Sequence, residues 1–251
     1  MPMNGSSHIF ENIDALYAAL EKQWQLIAHA AIADHGAFHV ALAGGSTPRN
    51  FYKKLAQQSV VDERCWHKTH IYFGDERCVP QDHSDSNYHM AKEALLSAVP
   101  LLPEHVHAMF STDFSVEQNV ARYESLLHDA LPQDVNGCPV FDLVLLGMGE
   151  DGHTASLFPD TEILHELIKP VAAQFVQKLD AWRISLTFPA INAANHVAIL
   201  VAGDAKAKIL ADIFSAEKNM VARYPIQQVD PTGQLDWYLD IAAAHLLNSQ
   251  D

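Results

Sequence analysis

The sequence predicts an α/β fold of the three-layer, Rossmann-like type, with a mostly parallel sheet and helices on both of its faces. Short runs that are apolar on both faces alternate with longer segments whose apolar residues recur at helical spacing. Strands of this kind, separated by helices, are typical of a parallel sheet that is covered on both sides. No Pro/Gly/Ser-rich linker and no internal repeat divides the chain. Residues 1–251 are therefore interpreted as one α/β domain, with a small appended subregion around 155–182.

The first elements show the alternation in detail. Residues 12–34 carry apolar side chains at helical spacing and end in Asp-His-Gly, which is a plausible helix stop. FHVALAGG (38–45) then has the pattern of a buried strand that runs into glycines. The next segment, STPRNFYKKLAQQ, is predicted to be a helix that Ser46 or Thr47 can cap, with Pro48 in its first turn. The further predicted strands are 70–76, 141–149, 183–188 and 196–203, and the further predicted helices are 86–99, 115–131, 204–214 and 235–247.

Composition excludes several classes of protein. The formal net charge is −15 and the acidic residues are spread along the chain, so we expect no nucleic-acid partner and no membrane partner. The three cysteines are widely separated and lack CxxC spacing, which argues against a disulfide framework and a structural zinc site. No secretory leader or apolar run of membrane-spanning length is present in the sequence. We therefore expect a cytoplasmic protein.

Four junctions between a predicted strand and the following loop carry unusual side chains. In a parallel sheet such junctions meet at the edge formed by the carboxyl ends of the strands, where ligands bind. We expect the four loops to meet there if their strands are parallel neighbours. The junctions are AGGSTP (43–48), FGDERCVP (73–80), GMGEDGHTASLFP (147–159) and VAGDAKAK (201–208).

The first junction has the composition of a phosphate-binding turn. Gly44 and Gly45 allow a sharp turn, Ser46 and Thr47 offer hydroxyl groups, and Pro48 starts a helix whose free N–H groups face the loop. A tight turn that needs glycine and a cap but binds nothing explains this pattern equally well. The turn matches neither the Walker loop nor the GxGxxG dinucleotide turn, so neither ATP nor NAD is indicated as a cofactor.

The second and third junctions carry the titratable groups. Asp75, Glu76 and Arg77 follow a strand directly; a solvated loop with local ion pairs is the alternative explanation. His153 follows Asp151 in a glycine-rich loop, and histidine accepts a proton near neutral pH. Six further histidines have no such glycine-rich loop around them and are interpreted as structural or surface residues: His67, His70, His105, His107, His196 and His245.

The chain lacks a GxSxG elbow, and no cysteine is paired with a histidine in these loops, which disfavours a covalent acyl-enzyme. The donors in the GDER loop are scattered, and we predict no metal site there. What remains is a histidine base, acids, an arginine and a phosphate-binding turn. These groups favour water attack or proton transfer on a small phosphorylated substrate.

These motifs together resemble those of the 6-phosphogluconolactonase family. The matching set is AGGSTP, FGDERCVP with SDSNY, GMGEDGHTASLFP, RISLTFPAIN, AGDAKAKIL and PTGQLDWYLDIAA, in this order. The resemblance implies the modified Rossmann sheet of the wider glucosamine-6-phosphate deaminase group. It also implies a cofactor-free and metal-free enzyme that hydrolyses 6-phospho-D-glucono-1,5-lactone in the oxidative pentose phosphate pathway.

The resemblance further implies roles for individual residues. The turn at 44–47 lines the phosphate site, where Arg183 and Lys206 supply positive charge. His153 is the general base that activates water, and Asp151 orients it. Asp75 and Arg77 line the lactone end as further catalytic residues, although the sequence leaves open whether Arg77 contacts the C1 carbonyl or the phosphate. A monomer or a weak homodimer is expected.

Two alternatives remain open on the sequence. An amino-sugar phosphate deaminase or isomerase shares the scaffold, but those enzymes resemble one another in a DEY-type loop and an HIAFNEP-type ending that this chain lacks. A non-catalytic sugar-phosphate sensor would keep the phosphate-binding turn and lose the base. The joint presence of Asp75, Arg77, Asp151 and His153 speaks against such a sensor.

Overall fold

The main sheet contains six parallel strands. In the computed structural model, which describes residues 5–57, 63–215 and 222–247, their order is β1-β9-β8-β5-β2-β3. The strands of this sheet are β1 (Ser6–Phe10), β2 (Phe38–Leu42), β3 (Thr69–Phe73), β5 (Leu143–Gly147), β8 (His196–Val201) and β9 (Gln234–Asp240). A second sheet has three antiparallel strands in the order β4-β7-β6, namely β4 (Asp75–Arg77), β6 (Val171–Val176) and β7 (Ala181–Leu186).

Eight α-helices are assigned within the described residues, and the longer ones occupy segments that connect the strands. They are α1 (Ile13–His35), α2 (Ser46–Gln57), α3 (Glu63–Trp66), α4 (Asn87–Ala91), α5 (Val116–Ala130), α6 (Phe188–Ala193), α7 (Ala207–Ser215) and α8 (Ile241–Ala244). A π-helical turn (Lys92–Leu96) continues α4, and 3₁₀ turns at 103–105, 162–165, 177–179, 204–206 and 225–228 complete the structure. No helix in these described ranges is long and apolar enough to cross a membrane.

The pairing of the buried strands places the predicted junction loops next to one another. All five residues of β2 are buried, and β2 pairs in parallel with β3 on one side and with β5 on the other. β5 in turn pairs with β8. The four strands that precede the junction loops are therefore parallel neighbours, as the sequence predicts, and the α/β fold class is confirmed.

Local signals set the ends of α1. The side chain of Asn12 accepts a hydrogen bond from the Ala15 N–H at 2.9 Å, which satisfies one of the free donors of the first turn. The helix ends at Gly36, which has a φ of 91° and adopts the left-handed conformation that glycine allows. Capping residues therefore explain why the prediction of a helix over 12–34 is close to the observed range.

The predicted helix over 235–247 is wrong for most of its length. Residues Gln234–Asp240 form β9, and only Ile241–Ala244 continue as α8. Leu235, Trp237 and Leu239 alternate with other residues in a strand pattern, yet the apolar alanines that follow extend a helical pattern across the boundary. β9 lies between β8 and β1, so the pairing of both its edges decides its conformation.

The small sheet corrects a second expectation. The predicted strand RISLTF (183–188) is right only for 183–186, because α6 begins at Phe188, and this strand is β7 of the antiparallel sheet and not part of the parallel one. The predicted subregion around 155–182 contributes β6 and the turn into β7, and the sheet also takes in β4 directly after the main-sheet strand β3. The small sheet therefore joins the second junction loop to the segment that follows the third. The single-domain organisation stays a prediction.

Candidate active site

The junction loops surround one cavity of about 240 Å³ at the carboxyl ends of β2, β3, β5 and β8. Eight of the ten predicted site residues line it: Gly44, Gly45, Ser46, Thr47, Asp75, Arg77, His153 and Lys206. The other two, Asp151 and Arg183, lie beside lining residues, with Asp151 against His153 and Arg183 paired across the small sheet with Arg77. The structure thus brings the predicted residues together, while their roles stay predictions.

His153 is held against Asp151 within the loop after β5. Its ring nitrogen Nδ1 forms a hydrogen bond with Oδ1 of Asp151, and its backbone N–H donates to the same oxygen at 3.3 Å. The imidazole packs at 4.2 Å, centroid to centroid, from the Phe158 ring. An ionised carboxylate only accepts hydrogen bonds, so Asp151 places the proton on Nδ1 and leaves the Nε2 lone pair available.

Gly149 makes room for this arrangement. A Cβ atom at position 149 would lie 2.0 Å from Nδ1 of His153 and 2.8 Å from Oδ1 of Asp151. The Gly149 N–H also donates to the backbone carbonyl of His153 at 2.8 Å, which closes the loop. The glycine that the sequence shows here therefore serves the close packing of the histidine–aspartate pair.

Asp151 has a second cationic neighbour that sequence reasoning missed. Lys178, in the turn between β6 and β7, forms an ion pair with Oδ2 of Asp151. Burial alone would raise the pKa of Asp151, but the hydrogen bonds from Lys178 and His153 outweigh burial and hold this pKa far below its usual range. Asp151 is therefore ionised at neutral pH. The 27 residues that separate Lys178 from Asp151 explain why no local pattern reveals the contact.

The opposite part of the cavity is built from the 44–47 turn. α2 begins at Ser46, so its free N–H groups face the turn, and the Tyr17 hydroxyl donates to the backbone carbonyl of Thr47 at 2.9 Å. A Cβ atom at position 44 would lie 2.3 Å from Oδ1 of Asn87, so Gly44 permits the close approach of the 85–88 segment. Lys206 lines the cavity and lies 4.0 Å from a carboxylate oxygen of Glu150.

Two arginines lie side by side next to this turn. Arg77 and Arg183 are directly paired residues of β4 and β7, and Arg77 donates to the backbone carbonyl of Asp85. The Nε atoms of both are buried without a hydrogen-bond partner in the described part of the chain, and neither arginine forms an ion pair there. Burial, followed by repulsion from Arg77, lowers the pKa of Arg183. Adjacent guanidinium groups with free donors are suited to a dianion.

Asp75 lines the cavity but already has partners for both carboxylate oxygens. Oδ1 accepts from the Asn87 side-chain amide at 3.0 Å, and Oδ2 accepts from the Ser156 hydroxyl at 2.7 Å. Asp75 is 7% exposed. These contacts tie the second junction loop to the third and to the 85–88 segment. The contacts give Asp75 a role in the organisation of these loops. Its catalytic role stays a prediction.

Ser156 connects the loop after His153 to all three strands of the small sheet. Its hydroxyl donates to Asp75 of β4, its backbone N–H donates to the Ser185 hydroxyl of β7 at 3.2 Å, and its carbonyl accepts from the Gln174 side chain of β6. The sequence shows Ser156 only as one small residue in HTASLFP. Its importance becomes visible only when the two sheets are assembled.

Glu76 is named by the sequence analysis only as one of three consecutive charged residues, without a role of its own. It is 3% exposed and accepts from the backbone N–H groups of Arg77, Asn87 and Tyr88 at 2.7–2.8 Å, and from the Ser86 hydroxyl at 3.1 Å. Burial raises the pKa of Glu76, and these N–H donors oppose the rise. The carboxylate therefore fixes the start of α4 against β4, which holds Asn87 beside the cavity.

No group of three or more His, Cys, Asp or Glu side chains within residues 5–57, 63–215 and 222–247 is arranged to hold a metal ion. The donors of the GDER loop and of the following polar segment are instead used for turns and caps, as in the hydrogen bond from the Asp85 N–H to the His83 ring at 3.1 Å.

The fold and the cavity define an α/β protein that combines a glycine-rich turn at a helix start, neighbouring cations and a histidine held by an aspartate. A family model described as glucosamine-6-phosphate isomerases/6-phosphogluconolactonase matches residues 11–237. The chain belongs to this family.

Relatives within the family are similar over most of their length. A 6-phosphogluconolactonase of Nostoc sp. is 41% identical over 213 residues, which cover 85% of this chain and 86% of the relative. A 6-phosphogluconolactonase of Synechocystis sp. is 39% identical over 86% of this chain and 88% of its own. A probable 6-phosphogluconolactonase 3 of rice, named chloroplastic, is 36% identical over 96% of this chain and 76% of its own.

Solved structures agree with this membership. The 6-phosphogluconolactonase of Trypanosoma brucei superposes with a TM-score of 0.82 at 28% identity, covering 98% of this chain and 99% of that one. A monomeric glucosamine-6-phosphate deaminase superposes with a TM-score of 0.77 at 16% identity, covering 96% and 99% of the two chains, and this likeness shows the shared fold alone.

Proposed function

We propose that this protein is a 6-phosphogluconolactonase, which hydrolyses 6-phospho-D-glucono-1,5-lactone to 6-phosphogluconate in the oxidative pentose phosphate pathway. The observation that carries the proposal is that His153 and the 44–47 turn line the same cavity. A small substrate with a phosphate at one end and an ester at the other fits this pairing of an anion site with a base. The names of the Nostoc and Synechocystis relatives support the same activity.

The phosphate end of the substrate binds between the turn and the cations. Hydroxyl and N–H groups of Ser46 and Thr47 at the start of α2 donate hydrogen bonds to the anion, and Lys206 adds positive charge. We assign Arg77 to the phosphate together with Arg183, because the two guanidinium groups are adjacent and unpaired with carboxylates in the described residues. Binding energy from the phosphate then fixes the reacting carbonyl near His153.

The hydrolysis follows from the tautomer that Asp151 selects. Nε2 of His153 removes a proton from water while the water oxygen forms a bond to C1 of the lactone, which gives a tetrahedral oxyanion. As the carbonyl re-forms, the bond between C1 and the ring oxygen breaks and the imidazolium returns its proton to that oxygen. The product acid then ionises, so each turnover releases one proton. A δ-lactone is reactive enough that this route needs neither a covalent nucleophile nor a metal.

Two N–H groups of the glycine loop after β5 are not free to stabilise the oxyanion. The N–H of Gly149 donates to the His153 carbonyl, and that of Gly152 donates to the Gly149 carbonyl at 3.2 Å. Both glycine donors are therefore engaged within the loop. Other donors of the cavity wall supply this stabilisation.

Proton release by the purified protein tests the proposal. We expect fast hydrolysis of 6-phospho-δ-gluconolactone, much slower hydrolysis of unphosphorylated glucono-δ-lactone, and unchanged rates after treatment with a chelator. Equal rates with the two lactones would contradict the phosphate site. A loss of activity with chelator that added metal restores would contradict the metal-free mechanism.

The same preparation separates the two alternative functions. Ammonia release from glucosamine 6-phosphate would indicate a deaminase. Tight binding of 6-phosphogluconate without lactone hydrolysis would indicate a sensor. A cytoplasmic location and a monomeric or weakly dimeric state stay predictions, to be checked by fractionation and by sedimentation; rice relatives named chloroplastic make the location a question to test.

A further inference from the structure

Lys178 occupies an unusual position for a half-exposed lysine. It lies in the short turn at Gln177–Leu179 that joins β6 to β7, and its Nζ contacts Oδ2 of Asp151. The other oxygen, Oδ1, faces Nδ1 of His153. The two oxygens of one carboxylate therefore have different partners, the lysine on one side and the imidazole on the other.

Lys178 and His153 both contact the aromatic ring of Phe158. Nζ of Lys178 lies 4.5 Å from the centroid of the Phe158 ring, and the imidazole of His153 packs against the same ring at 4.2 Å. Phe158 is 6% exposed, so it offers both groups a fixed surface. A cation above an aromatic face is attracted to it, which favours one location of the ammonium group. Lys178, Asp151, His153 and Phe158 form what we call the lysine-linked cluster.

We propose that Lys178 is a positioning residue for the hydrolysis, acting through the Asp151 carboxylate on the orientation and proton affinity of the His153 ring. The inference rests on the proposed role of His153 as the base. Lys178 does not line the cavity, so it has no contact with the substrate in this assignment. It belongs to the small sheet, whereas Asp151 and His153 belong to the loop after β5.

Stability alone does not explain the contact. An ion pair on a half-exposed side chain contributes little to folding, because solvent screens it. The ion pair has a larger effect on the geometry of the Asp151 carboxylate. Without Lys178, the carboxylate keeps only its bond to His153, which is the group that it has to orient. The ammonium charge also opposes protonation of the nearby imidazole. Without Lys178, Asp151 would stabilise the imidazolium alone, and the acid limb of the rate profile would move to higher pH.

Replacement of the lysine tests this inference with two kinetic readouts. For Lys178→Met we expect kcat to fall about 10-fold, the size of effect of losing one oriented charge-assisted hydrogen bond. KM should change less than twofold, and the acid limb of kcat/KM should shift upward. Lys178→Arg should restore most of kcat. Lys68→Met removes one charge from an exposed lysine before β3 and should behave as the parent.

A spectroscopic readout is independent of turnover. In protein with ¹⁵N-labelled histidine, the His153 signals are assigned by their absence in His153→Gln. We expect the parent to show the tautomer protonated on Nδ1, and Lys178→Met to show a mixture of tautomers. Unchanged tautomer and unchanged kinetics in Lys178→Met would overturn the inference. Thermal melting of each variant identifies a folding defect.

Two further variants separate this inference from the proposed function. In an Asp151→Asn background, Lys178→Met should have no further effect; an additional loss would mean that Lys178 acts without Asp151, which overturns the inference. Full activity of His153→Gln would show that His153 is not the base and so contradict the proposed mechanism. An inactive His153→Gln together with a parent-like Lys178→Met would overturn only the role of Lys178.

Discussion

Titratable side chains lie at both ends of the main sheet, but the contacts that they make differ between the two ends. The carboxyl end holds the cavity with His153, and the amino end holds five histidines near the starts of β2 and β3. His39 and His70 occupy paired positions of these two strands, with neighbouring rings on α1 and on the segment before α5. The five are His35, His39, His70, His105 and His107.

The histidines at the amino end mainly contact one another. The rings of His70 and His105 stack at 3.7 Å, Nδ1 of His70 lies 3.2 Å from Nε2 of His107, and Nδ1 of His39 lies 3.2 Å from the Tyr72 hydroxyl. Burial, followed by repulsion among the rings, lowers the pKa of His39 to about 3 and the pKa values of His70 and His107 to about 4. They are therefore neutral near pH 7.

The comparison shows that a dense group of titratable residues is not by itself a site. At the amino end the rings fill space and pair with each other, with Tyr72 or, for His35, with the Asp142 carboxylate at 3.0 Å. At the carboxyl end His153 is held on Nδ1 by the ionised carboxylate of Asp151, and it lines a cavity together with Arg77, a cation that forms no ion pair in the described residues. A base with a free lone pair in the same cavity as such a cation indicates chemistry.

The largest expected effect follows from replacing one histidine at each end. His153→Gln should lower kcat by about 10²–10⁴, the usual contribution of a general base, because glutamine cannot accept the proton from water. His105→Gln, at the amino end, should leave kcat unchanged. Steady-state lactone hydrolysis measures both. A similar loss in the two variants would remove the distinction between the two ends.

The next effect concerns the anion site. Arg183→Met should raise KM for the phosphorylated lactone about 10-fold to 100-fold, because it removes charge-assisted hydrogen bonds to the phosphate. It should not lower the melting temperature, since Nε of Arg183 has no partner in the described residues and the variant removes a like charge beside Arg77. Arg122→Met, on α5 outside the cavity, is the matched control. A fall in kcat with unchanged KM would instead place Arg183 at the reacting carbonyl.

Three of the amino-end histidines, His39, His70 and His107, should make the stability of the protein depend on pH. Because their folded pKa values lie below the unfolded value of about 6.5, the unfolded chain binds more protons between roughly pH 4 and 6.5. Their contribution is complete above pH 6.5 and is lost as the pH falls through this window, on the order of 1–2 kcal/mol at pH 5 for the buried His39.

Urea unfolding at pH 7.5 and pH 5 measures this loss, and His39→Gln should reduce the difference between the two pH values. Four histidines, Tyr72 and Asp142 are the titratable groups around His39, and none of them belongs to the cavity. An equal pH difference in parent and variant would show that other groups cause the acid sensitivity.

The smallest effect concerns the connection between the two sheets. Ser156→Ala removes the donor to Oδ2 of Asp75 but keeps the backbone bonds to Ser185 and Gln174. We expect a loss of about 1 kcal/mol in the free energy of unfolding and a severalfold fall in kcat, because the loop that holds His153 loses one of three attachments. Ser125→Ala, on the exposed surface of α5, controls for the loss of a hydroxyl group. An unchanged kcat would show that the remaining two bonds suffice.

The predictability of the site varied from residue to residue. His153, Asp151 and the 44–47 turn were predictable because glycine, capping residues and strand ends are local features that adjoin in sequence. Lys178, Ser156, Asn87 and Glu76 were not, since each acts through a partner that another element supplies. The engaged N–H groups of Gly149 and Gly152 were also invisible, because the sequence shows a glycine loop but not how its amides pair.

By itself the sequence determined the α/β class, the buried strands β2, β3, β5 and β8, and which reactive side chains lie at their carboxyl ends. Hydrophobic periodicity and capping involve residues that are close together in the sequence, so they can be recognised before the fold is known. Only the tertiary structure decided that 234–240 is a strand and that RISLTF joins a small antiparallel sheet. It also brought Lys178 to Asp151. Strand pairing and ion pairs join residues far apart in the chain, so their partners exist only after the chain has folded.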